Sequence, residues 1–439
     1  MESNTAVLKN EAKEILLKNR RDGFTVPSEK LYPFQWNWDS GFAALGFKNF
    51  NLEYAIEEIR SMFSGQWQNG MIAHINFHSE NETTYFPNFE FWDTQVNSGA
   101  SQKPKTGGIT QPPVFGFVLE EMAKTHGNDP VFKEFVSEIF SKITHFHRFL
   151  YTIRDPKNEG LAFIFHPWES GRDNSPLWDY AYDGFEVKPG DIPAYTRKDN
   201  TQADPSHRPL QKDYDRFVYL IELGKKHQYD GIGIFEESPF LVQDTLFNAL
   251  LIKSNDGLIN VGKQYGLDVA EIEAWQQKAK PAFENKLWCE EIGNYVCYDL
   301  RHNKQIKQWE IGGYTSLIAG IPSPDKAQLL LETLLEFKEK DLFVCPSFHT
   351  DNEKFDPKRY WRGPVWPQMN WLIYHGLLRY GFNEMADVTK NDIIALVEYY
   401  GFYEYFNPFK SVQSTESKGY GGHSFTWTAA VILDLIENA

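Results

Sequence analysis

The sequence predicts an all-α protein built from antiparallel helix pairs. About a dozen segments show the 3.6-residue apolar spacing of amphipathic helices, and strand patterns between them are few and short. This arrangement excludes a doubly wound sheet and a β/α barrel, because both need strands that alternate with helices. No fixed-period repeat recurs along the 439 residues, which argues against a helical solenoid.

The helices follow one another with loops rich in glycine, proline and aromatic residues between them. Asn4 is the predicted cap of the first helix, whose apolar stripe runs from Val7 to Leu16. Ser323 followed by Pro324 is typical of a helix start. The helical patterns after the first cover residues 40–48, 51–64, 113–126, 130–153, 212–228, 242–263, 267–285, 313–319, 324–337, 365–380, 383–400 and 424–437.

Three connections are too long to be simple turns and are expected to carry functional residues, at 66–111, 154–211 and 286–312. Short strand patterns occur at Leu161–His166 and Asn294–Leu300. No linker or low-complexity tract divides the chain, so we expect a single catalytic domain over residues 1–439.

Charge and aromatic content exclude several classes of function. Lys and Arg number 44 against 60 Asp and Glu, a net charge of −16, so the basic footprint of a nucleic-acid binder is missing. No run approaches the ~20 apolar residues of a membrane-spanning helix. The 13 Trp, 22 Tyr and 34 Phe make up 16% of the chain, which suits a protein that binds a small polyhydroxylated molecule.

Three cysteines, Cys289, Cys297 and Cys345, cannot form a disulfide framework, and buried free thiols are typical of a reducing compartment. Residues 1–19 contain no signal-peptide core, so we expect a cytoplasmic protein. No helix shows an uninterrupted apolar seam, and the sequence indicates no particular oligomeric state. Nucleotide, zinc-protease and serine-hydrolase motifs are also missing, so we expect no cofactor and no metal. The run Gly419–Gly422 is predicted to be a tight loop before the last helix.

We expect the catalytic and substrate-binding residues in loops that contain Trp or Tyr together with acidic residues. In Phe34–Gly41, Asp39 or Ser40 is a candidate helix cap, or else two indoles flank a sugar while Asp39 accepts its hydroxyls. In Gly107–Pro113, a rigid turn presents the amide of Gln111.

The sharpest segment is His166–Pro176, in which acids and tryptophan share a loop punctuated by proline and glycine. One interpretation pairs an acid structurally with Arg172. The other holds the Asp173 carboxyl in an aromatic pocket, where burial raises its pKa and keeps it protonated as a general acid.

Further along, Glu404 lies among four aromatic residues in Gly401–Pro408, while Glu416 has polar neighbours. Glycoside hydrolysis needs two carboxyl groups and no cofactor, and we pair Asp173 with Glu404. Glu416 is the replacement base if Glu404 lies elsewhere.

Five motifs together resemble glycoside hydrolase family 63, and most closely its compact mannosylglycerate and glucosylglycerate hydrolases. They are Trp36–Asp39, Trp168–Ser175, Gln243–Asp244, Tyr360–Pro364, and Tyr403–Tyr405 with Asn407–Pro408, in the family's order. The resemblance implies an (α/α)6 barrel, a six-hairpin toroid with long functional loops. It also implies an α-glycosidase that inverts the anomeric carbon, with Asp173 as general acid and Glu404 as general base.

The resemblance further implies that the glyceric acid lies between loops contributing Tyr85, Arg216 and Tyr360. The alternative for Arg216 is an ion pair with Asp213 or Asp215 on its own helix. The full set of predicted substrate-binding residues is Tyr32, Trp36, Trp38, Asp39, Tyr85, Gln111, Gly171, Arg172, Arg216, Tyr360, Trp361, Gly363 and Trp366.

Three rival functions stay open. A trehalase-like or oligosaccharide-trimming α-glucosidase would share the barrel and both carboxyls. A sugar epimerase would be expected to use histidine, and only His166 lies in a candidate loop. An inactive sugar-binding protein would keep the tryptophans and lose a carboxyl, yet both Asp173 and Glu404 are present.

Overall fold

A computed structural model describes residues 2–79, 85–202, 204–410 and 419–438. Its helices are α1 (Glu2–Asn19), α2 (Asn37–Phe47), α3 (Leu52–Ser64), α4 (Phe89–Trp92), α5 (Phe115–His126), α6 (Pro130–Thr152), α7 (Pro176–Ala181), α8 (Asp199–Gln202), α9 (Gln211–Lys226), α10 (Gly231–Glu237), α11 (Thr245–Tyr265), α12 (Ala270–Leu287), α13 (Thr315–Ile318), α14 (Pro324–Glu339), α15 (Pro367–Arg379), α16 (Asn383–Tyr400) and α17 (Thr426–Glu437).

The strands are short and pair only in antiparallel fashion within the described residues. They are β1 (Gln35–Trp36), β2 (Ile75–Phe77), β3 (Lys105–Thr106), β4 (Val242–Gln243), β5 (Trp288–Cys289), β6 (Asn294–Tyr295), β7 (Tyr298–Asp299), β8 (Lys304–Gln305), β9 (Tyr403–Phe406) and β10 (Gly419–His423). The sheets are ordered β1-β2-β3, β4-β7-β8, β5-β6 and β10-β9.

Six helices form a closed inner ring in which each contacts the next, in the order α2, α5, α11, α13, α15 and α17, with α17 returning to α2. Their outer partners in sequence are α1, α3, α6, α12, α14 and α16. The all-α prediction is therefore confirmed, and the ring of helix pairs is the (α/α)6 barrel that the family resemblance implies.

Inner and outer helices differ in composition as their places require. Every residue of α2 is buried, and apart from Asn37 and Asp39 in its first turn the helix is apolar or small around its whole circumference. Gly46 of α2 lies so close to α17 that an added Cβ would be 2.9 Å from the Ala430 Cβ, which explains the glycine. The outer helix α6 instead buries one face, including Phe135, Ile139 and Ile143.

Most helix predictions are confirmed within a few residues, and Ser323 caps α14 by accepting the Lys326 amide at 3.4 Å. Asn4 lies inside α1 and is not its cap, because the helix already begins at Glu2. Leu161–His166 is not a strand, since only Ile164 forms a β-bridge, with Val242. Asn294–Leu300 contains both β6 and β7.

The long connection between α6 and α11 carries α7 to α10. Its residues line cavities together with the first residues of inner helices α2 and α17, so it lies over the end of the ring at which those helices begin. None of the helices described here is long and apolar enough to cross a membrane.

Candidate active site

Two adjoining cavities occupy the end of the ring at which the inner helices begin. The first, which we call the ring cavity, has a volume of about 390 Å³ and is lined by Pro27, Tyr32, Trp36, Trp38, Asp39, Gln111, Gly171, Asp173, Tyr360, Trp361, Glu404, Phe425 and Trp427. The second, the loop cavity, has a volume of about 690 Å³ and is lined by Leu31, Tyr32, Trp36, His74, Tyr85, Phe86, Gln111, Trp168, Asp173, Lys198, Asp199, Arg208, Pro209 and Tyr214. Asp173 lines both.

Glu404 is buried on β9 and is surrounded by hydrogen-bond donors. Its Oε2 accepts the Gly422 amide at 2.9 Å, and its Oε1 accepts the hydroxyls of Tyr32 at 3.1 Å and Tyr360 at 3.3 Å. Burial raises the pKa of Glu404 to about 7, against the charge of Arg208 and these donors, which lower it. Three donors aimed at one carboxyl favour its ionised form.

Strand β10 makes this arrangement possible, and the predicted tight loop at Gly419–Gly422 is wrong. These residues pair with β9, with Tyr420 opposite Tyr405. Gly421 has a φ of +73°, and an added Cβ would lie 2.1 Å from the Glu404 Oε2. Only glycine leaves room for the carboxyl there.

Asp173 follows the left-handed Gly171 in the loop before α7 and is half-buried. In the described part of the chain, its carboxyl accepts no hydrogen bond from another residue. Burial raises the pKa of Asp173 to about 7, the Arg208 charge opposes this shift, and the Glu404 charge adds to it. An acid in this setting favours its protonated form.

Asp39 is a third carboxyl in the ring cavity and does not cap a helix. α2 begins at Asn37 after Trp36, without a side-chain cap, and the Ser40 hydroxyl donates instead to Glu58 at 2.6 Å. Burial, and then the charge of Glu404, raise the pKa of Asp39 well above its usual range. Asp39 lines the ring cavity and accepts no hydrogen bond from another of the described residues at its carboxyl, so its oxygens are available to a ligand with hydroxyl groups.

Indole rings form a wall of the ring cavity. Trp361 stacks on Trp366 with centroids 3.7 Å apart and planes 6° apart, and Trp38 lies 6.5 Å from Trp361. Trp366 is fully buried behind Trp361 and donates its Nε1 hydrogen to the Tyr360 carbonyl at 3.2 Å. Trp366 thus supports the wall, and Trp361 presents it to the cavity.

Four predicted substrate-binding residues lie outside the described lining of both cavities: Arg172, Arg216, Gly363 and Trp366. Arg172 forms buried ion pairs with Asp244 at 2.5 Å and Glu310 at 2.7 Å, which connect the Asp173 loop to the beginnings of α11 and α13. The sequence also allowed a structural ion pair between Arg172 and an acid of its own loop. Arg172 does form structural ion pairs, but Asp173 is not its partner.

Arg216 contacts its own surroundings and not a cavity. Its Nη1 lies 3.3 Å from Asp213 Oδ1, its Nε donates to the Phe185 carbonyl, and its guanidinium lies over the Tyr182 ring. The ion-pair alternative for Arg216 is therefore the one that the structure contains. At Gly363, an added Cβ would lie 2.6 Å from the Asp356 carbonyl oxygen, so this glycine permits a close turn.

The arginine that does line a cavity is Arg208, which the sequence analysis missed. It is 7% exposed, and its guanidinium lies 4.5 Å from the centre of the Tyr360 ring. Its Nε donates to Asp199 at 3.2 Å and its Nη1 to the Tyr32 hydroxyl at 3.4 Å. No motif marks Arg208, and only its place in the long 154–211 connection gave a signal.

Glu416, which the sequence offers as the replacement base, falls in 411–418, outside the described residues. Away from both cavities, Glu336, His349 and Asp351 have metal-ligand side chains within reach of one another, but Lys340 pairs with both carboxylates, at 2.7 and 2.8 Å. This cluster is satisfied as an ion-pair network.

Comparison with known proteins adds a family to this geometry. Residues 32–428 match the model of the mannosylglycerate hydrolase MGH1-like glycoside hydrolase domain. The chain is 38% identical to a mannosylglycerate hydrolase of Thermus thermophilus, over 96% of this chain and 99% of the relative. It is 31% identical to a glucosylglycerate hydrolase of Mycolicibacterium hassiacum, over 96% of this chain and 95% of the relative.

A solved structure has the same fold. The crystal structure of a family 63 mannosylglycerate hydrolase from Thermus thermophilus in complex with Tris and D-glycerate superposes with a TM-score of 0.91 at 38% identity. The alignment covers 97% of this chain and 99% of that one. The two cavities therefore lie in a barrel shared, over nearly its full length, with a glycoside hydrolase.

Proposed function

The chain belongs to glycoside hydrolase family 63, in its mannosylglycerate hydrolase MGH1-like group, and on that premise we propose that it hydrolyses a small α-glycoside whose aglycone is a carboxylic acid. Mannosylglycerate and glucosylglycerate are the candidate substrates. The observation that carries this proposal is the loop cavity, where Arg208 lies beside the ring cavity that holds Asp173 and Glu404.

The ring cavity suits the sugar. Trp38 and Trp361 offer apolar faces, and Asp39 and Gln111 offer polar atoms to hydroxyl groups. Mannose and glucose differ in the orientation of one hydroxyl, and the chain has relatives named for each. We therefore propose both mannose and glucose as the sugar of the substrate.

The loop cavity suits a small anion. Arg208 keeps Nη2 without a hydrogen-bond partner among the described residues, next to the hydroxyl-bearing side chains of Tyr32, Tyr85 and Tyr214. A guanidinium with a free N–H matches a carboxylate, and charge-assisted hydrogen bonds are roughly twice as strong as neutral ones. Arg208 thus takes the role first expected of Arg216.

In this proposal Asp173 is the general acid and Glu404 the general base. Asp173 lines both cavities, so a glycosidic oxygen between sugar and aglycone lies within its reach. It transfers its proton to that oxygen while the ionised form of Glu404, which the donors of Tyr32, Tyr360 and Gly422 stabilise, takes a proton from the attacking water. Water attack on the face opposite the leaving group inverts the anomeric carbon.

The test is a hydrolysis screen of mannosylglycerate, glucosylglycerate, trehalose, kojibiose and nigerose, with NMR of the first sugar released. We expect turnover of one or both glycerate glycosides, and release of the β-anomer from an α-linkage. Faster turnover of trehalose would favour the trehalase-like alternative. Release of the α-anomer would overturn the inverting mechanism, and no turnover of any glycoside would favour an inactive sugar-binding protein.

A further inference from the structure

We propose that Arg208 couples recognition of the aglycone to catalysis, because a bound carboxylate neutralises the guanidinium and so makes Asp173 hold its proton more tightly. The substrate then helps to keep its own general acid protonated. This inference rests on the proposed function and adds a cause for selectivity that acts on the chemical step at alkaline pH, beyond binding.

The first support is the position of the guanidinium between the two cavities. Arg208 lines the loop cavity together with Asp173, and one of its nitrogens contacts Tyr32, which lines both cavities. The Tyr32 hydroxyl lies 3.0 Å from the Tyr360 hydroxyl and 3.1 Å from Glu404 Oε1. A change of charge at Arg208 therefore acts inside a buried site on Asp173, with which it shares the loop cavity, and on Glu404, through the Tyr32 hydroxyl that contacts both.

The second support is that the protein leaves the Arg208 charge incompletely balanced. Asp199 is its ion-pair partner at 3.2 Å, but Asp199 is also held by Arg197 through two contacts, at 3.0 and 2.8 Å. Among the described residues, these two arginines share one aspartate, so one positive charge remains in this part of the connection between α6 and α11. A substrate carboxylate would supply the missing negative charge.

The third support is the direction in which Arg208 acts. After burial, its charge is the largest influence on the pKa of both Asp173 and Glu404, and it lowers each. Among the described residues, the other titratable groups that act on Asp173 or are acted on by it include the acids Glu404, Asp199 and Asp39 and the hydroxyls of Tyr32, Tyr85 and Tyr360. Lys198 also lines the loop cavity.

The sign follows. A carboxylate bound at Arg208 cancels a charge that favours ionised Asp173 and adds a negative charge nearby. Both effects raise the pKa of Asp173 and, with it, that of Glu404. The acid then stays protonated to higher pH in the complex than in the free enzyme. A neutral aglycone in the same cavity leaves Arg208 charged and produces no such rise.

The first experiment compares kcat against pH for glucosylglycerate and for glucosylglycerol, its neutral counterpart. We expect both limbs of the profile to lie at higher pH for the carboxylate substrate, by about 1 pH unit, the low end of the ~1–3 units that a charge within ~4–6 Å produces. Arg208→Lys keeps the charge and should preserve the difference, whereas Arg208→Gln should abolish it. Coincident limbs in the wild-type enzyme would overturn the inference.

The second experiment does not depend on turnover. Binding of D-glycerate is measured by calorimetry at about pH 7.5 in PIPES and in imidazole, whose ionisation enthalpies differ, so that linked protons appear as a difference in heat. We expect net proton uptake with glycerate and none with glyceramide, its neutral amide. Arg197→Gln, which leaves Asp199 to Arg208 alone, should reduce the uptake.

The two proposals fail in different ways. If glycerate does not bind, or if glucosylglycerol is hydrolysed as well as glucosylglycerate, the carboxylate aglycone is wrong and both proposals fall. If glycerate binds and its glycoside is the preferred substrate, but no proton is taken up, the proposed function stands and the coupling through Arg208 is overturned.

Discussion

Arg154 and Glu169 form a two-point ion pair inside the protein, at 2.7 and 3.0 Å, with neither side chain more than 4% exposed. The same carboxylate accepts the backbone amides of Thr110 at 3.1 Å and Phe165 at 2.9 Å. One side chain thus joins the turn that carries Gln111 to the loop that carries Asp173. It fixes a wall of both cavities without lining either.

Arg154→Met should therefore destabilise the protein strongly, because it leaves a buried carboxylate without its countercharge. We expect a loss of about 3–5 kcal/mol in the free energy of unfolding, read from the urea midpoint. Adding Glu169→Gln should recover part of it, since the amide is neutral and still accepts a hydrogen bond. The matched control is Arg60→Met in the exposed pair with Glu138, with a loss of at most about 1 kcal/mol. Equal losses in both variants would contradict this account.

The barrel could be predicted because most of its helices carry a clear apolar period. Elements without such a period could not. β10 holds three glycines in five residues, and its pairing with β9 depends on a partner thirteen or more residues away. Leu161–His166 has a strand's composition, but only Ile164 finds a bridge partner, Val242. In both cases tertiary contacts, and not local preference, decide the structure.

In the site, too, some residues could be predicted from local sequence patterns and others could not. Asp173, Glu404, Asp39 and Trp361 lie in short segments where acids and aromatic rings occur together, and all four line the ring cavity. Arg208 is an isolated arginine in a long connection, and its approach to Tyr32 depends on how that connection folds over the ring. No local pattern separates it from Arg216, whose neighbour Asp213 occupies its guanidinium.

Asp173→Asn should abolish turnover of a glycerate glycoside and spare a substrate that needs no proton. An amide cannot protonate the leaving oxygen, and general acid catalysis is typically worth ~10²–10⁴-fold. An α-glycosyl fluoride of the same sugar loses fluoride without such help, so its hydrolysis should fall by less than about tenfold. The control is Asp183→Asn, an exposed acid shortly after α7, which should match the wild-type rates on both substrates. Equal losses on both substrates would remove Asp173 as the acid.

The same substitution should stabilise the folded protein at neutral and alkaline pH. Asp173 has an ordinary pKa of 3.8 that rises to about 7 on folding. Between these values the folded state holds a proton that the unfolded state has released, so the wild-type free energy of unfolding falls as pH rises. Asparagine has no proton to lose. The Tm of Asp173→Asn should exceed that of the wild type by roughly 2–4 °C at pH 8, with the difference vanishing towards pH 4. A constant difference at all pH values would show that ionisation is not its cause.

Tyr360→Phe should move the acidic limb of kcat/KM to higher pH. The Tyr360 hydroxyl donates to Glu404 Oε1 at 3.3 Å and is one of the groups that lower the pKa of this carboxyl. Without it the carboxylate is less stabilised, the pKa of Glu404 rises, and the proposed base becomes protonated at a higher pH. A hydrogen bond to a charged group contributes ~1.5–3 kcal/mol, so a shift of about 1 pH unit is expected. Tyr85→Phe is the matched control, because the Tyr85 hydroxyl lies in the loop cavity and donates no hydrogen bond to Glu404 in the part of the chain described. If the acidic limb stays in place in Tyr360→Phe, or moves equally in Tyr85→Phe, Glu404 is not the base that this limb reports.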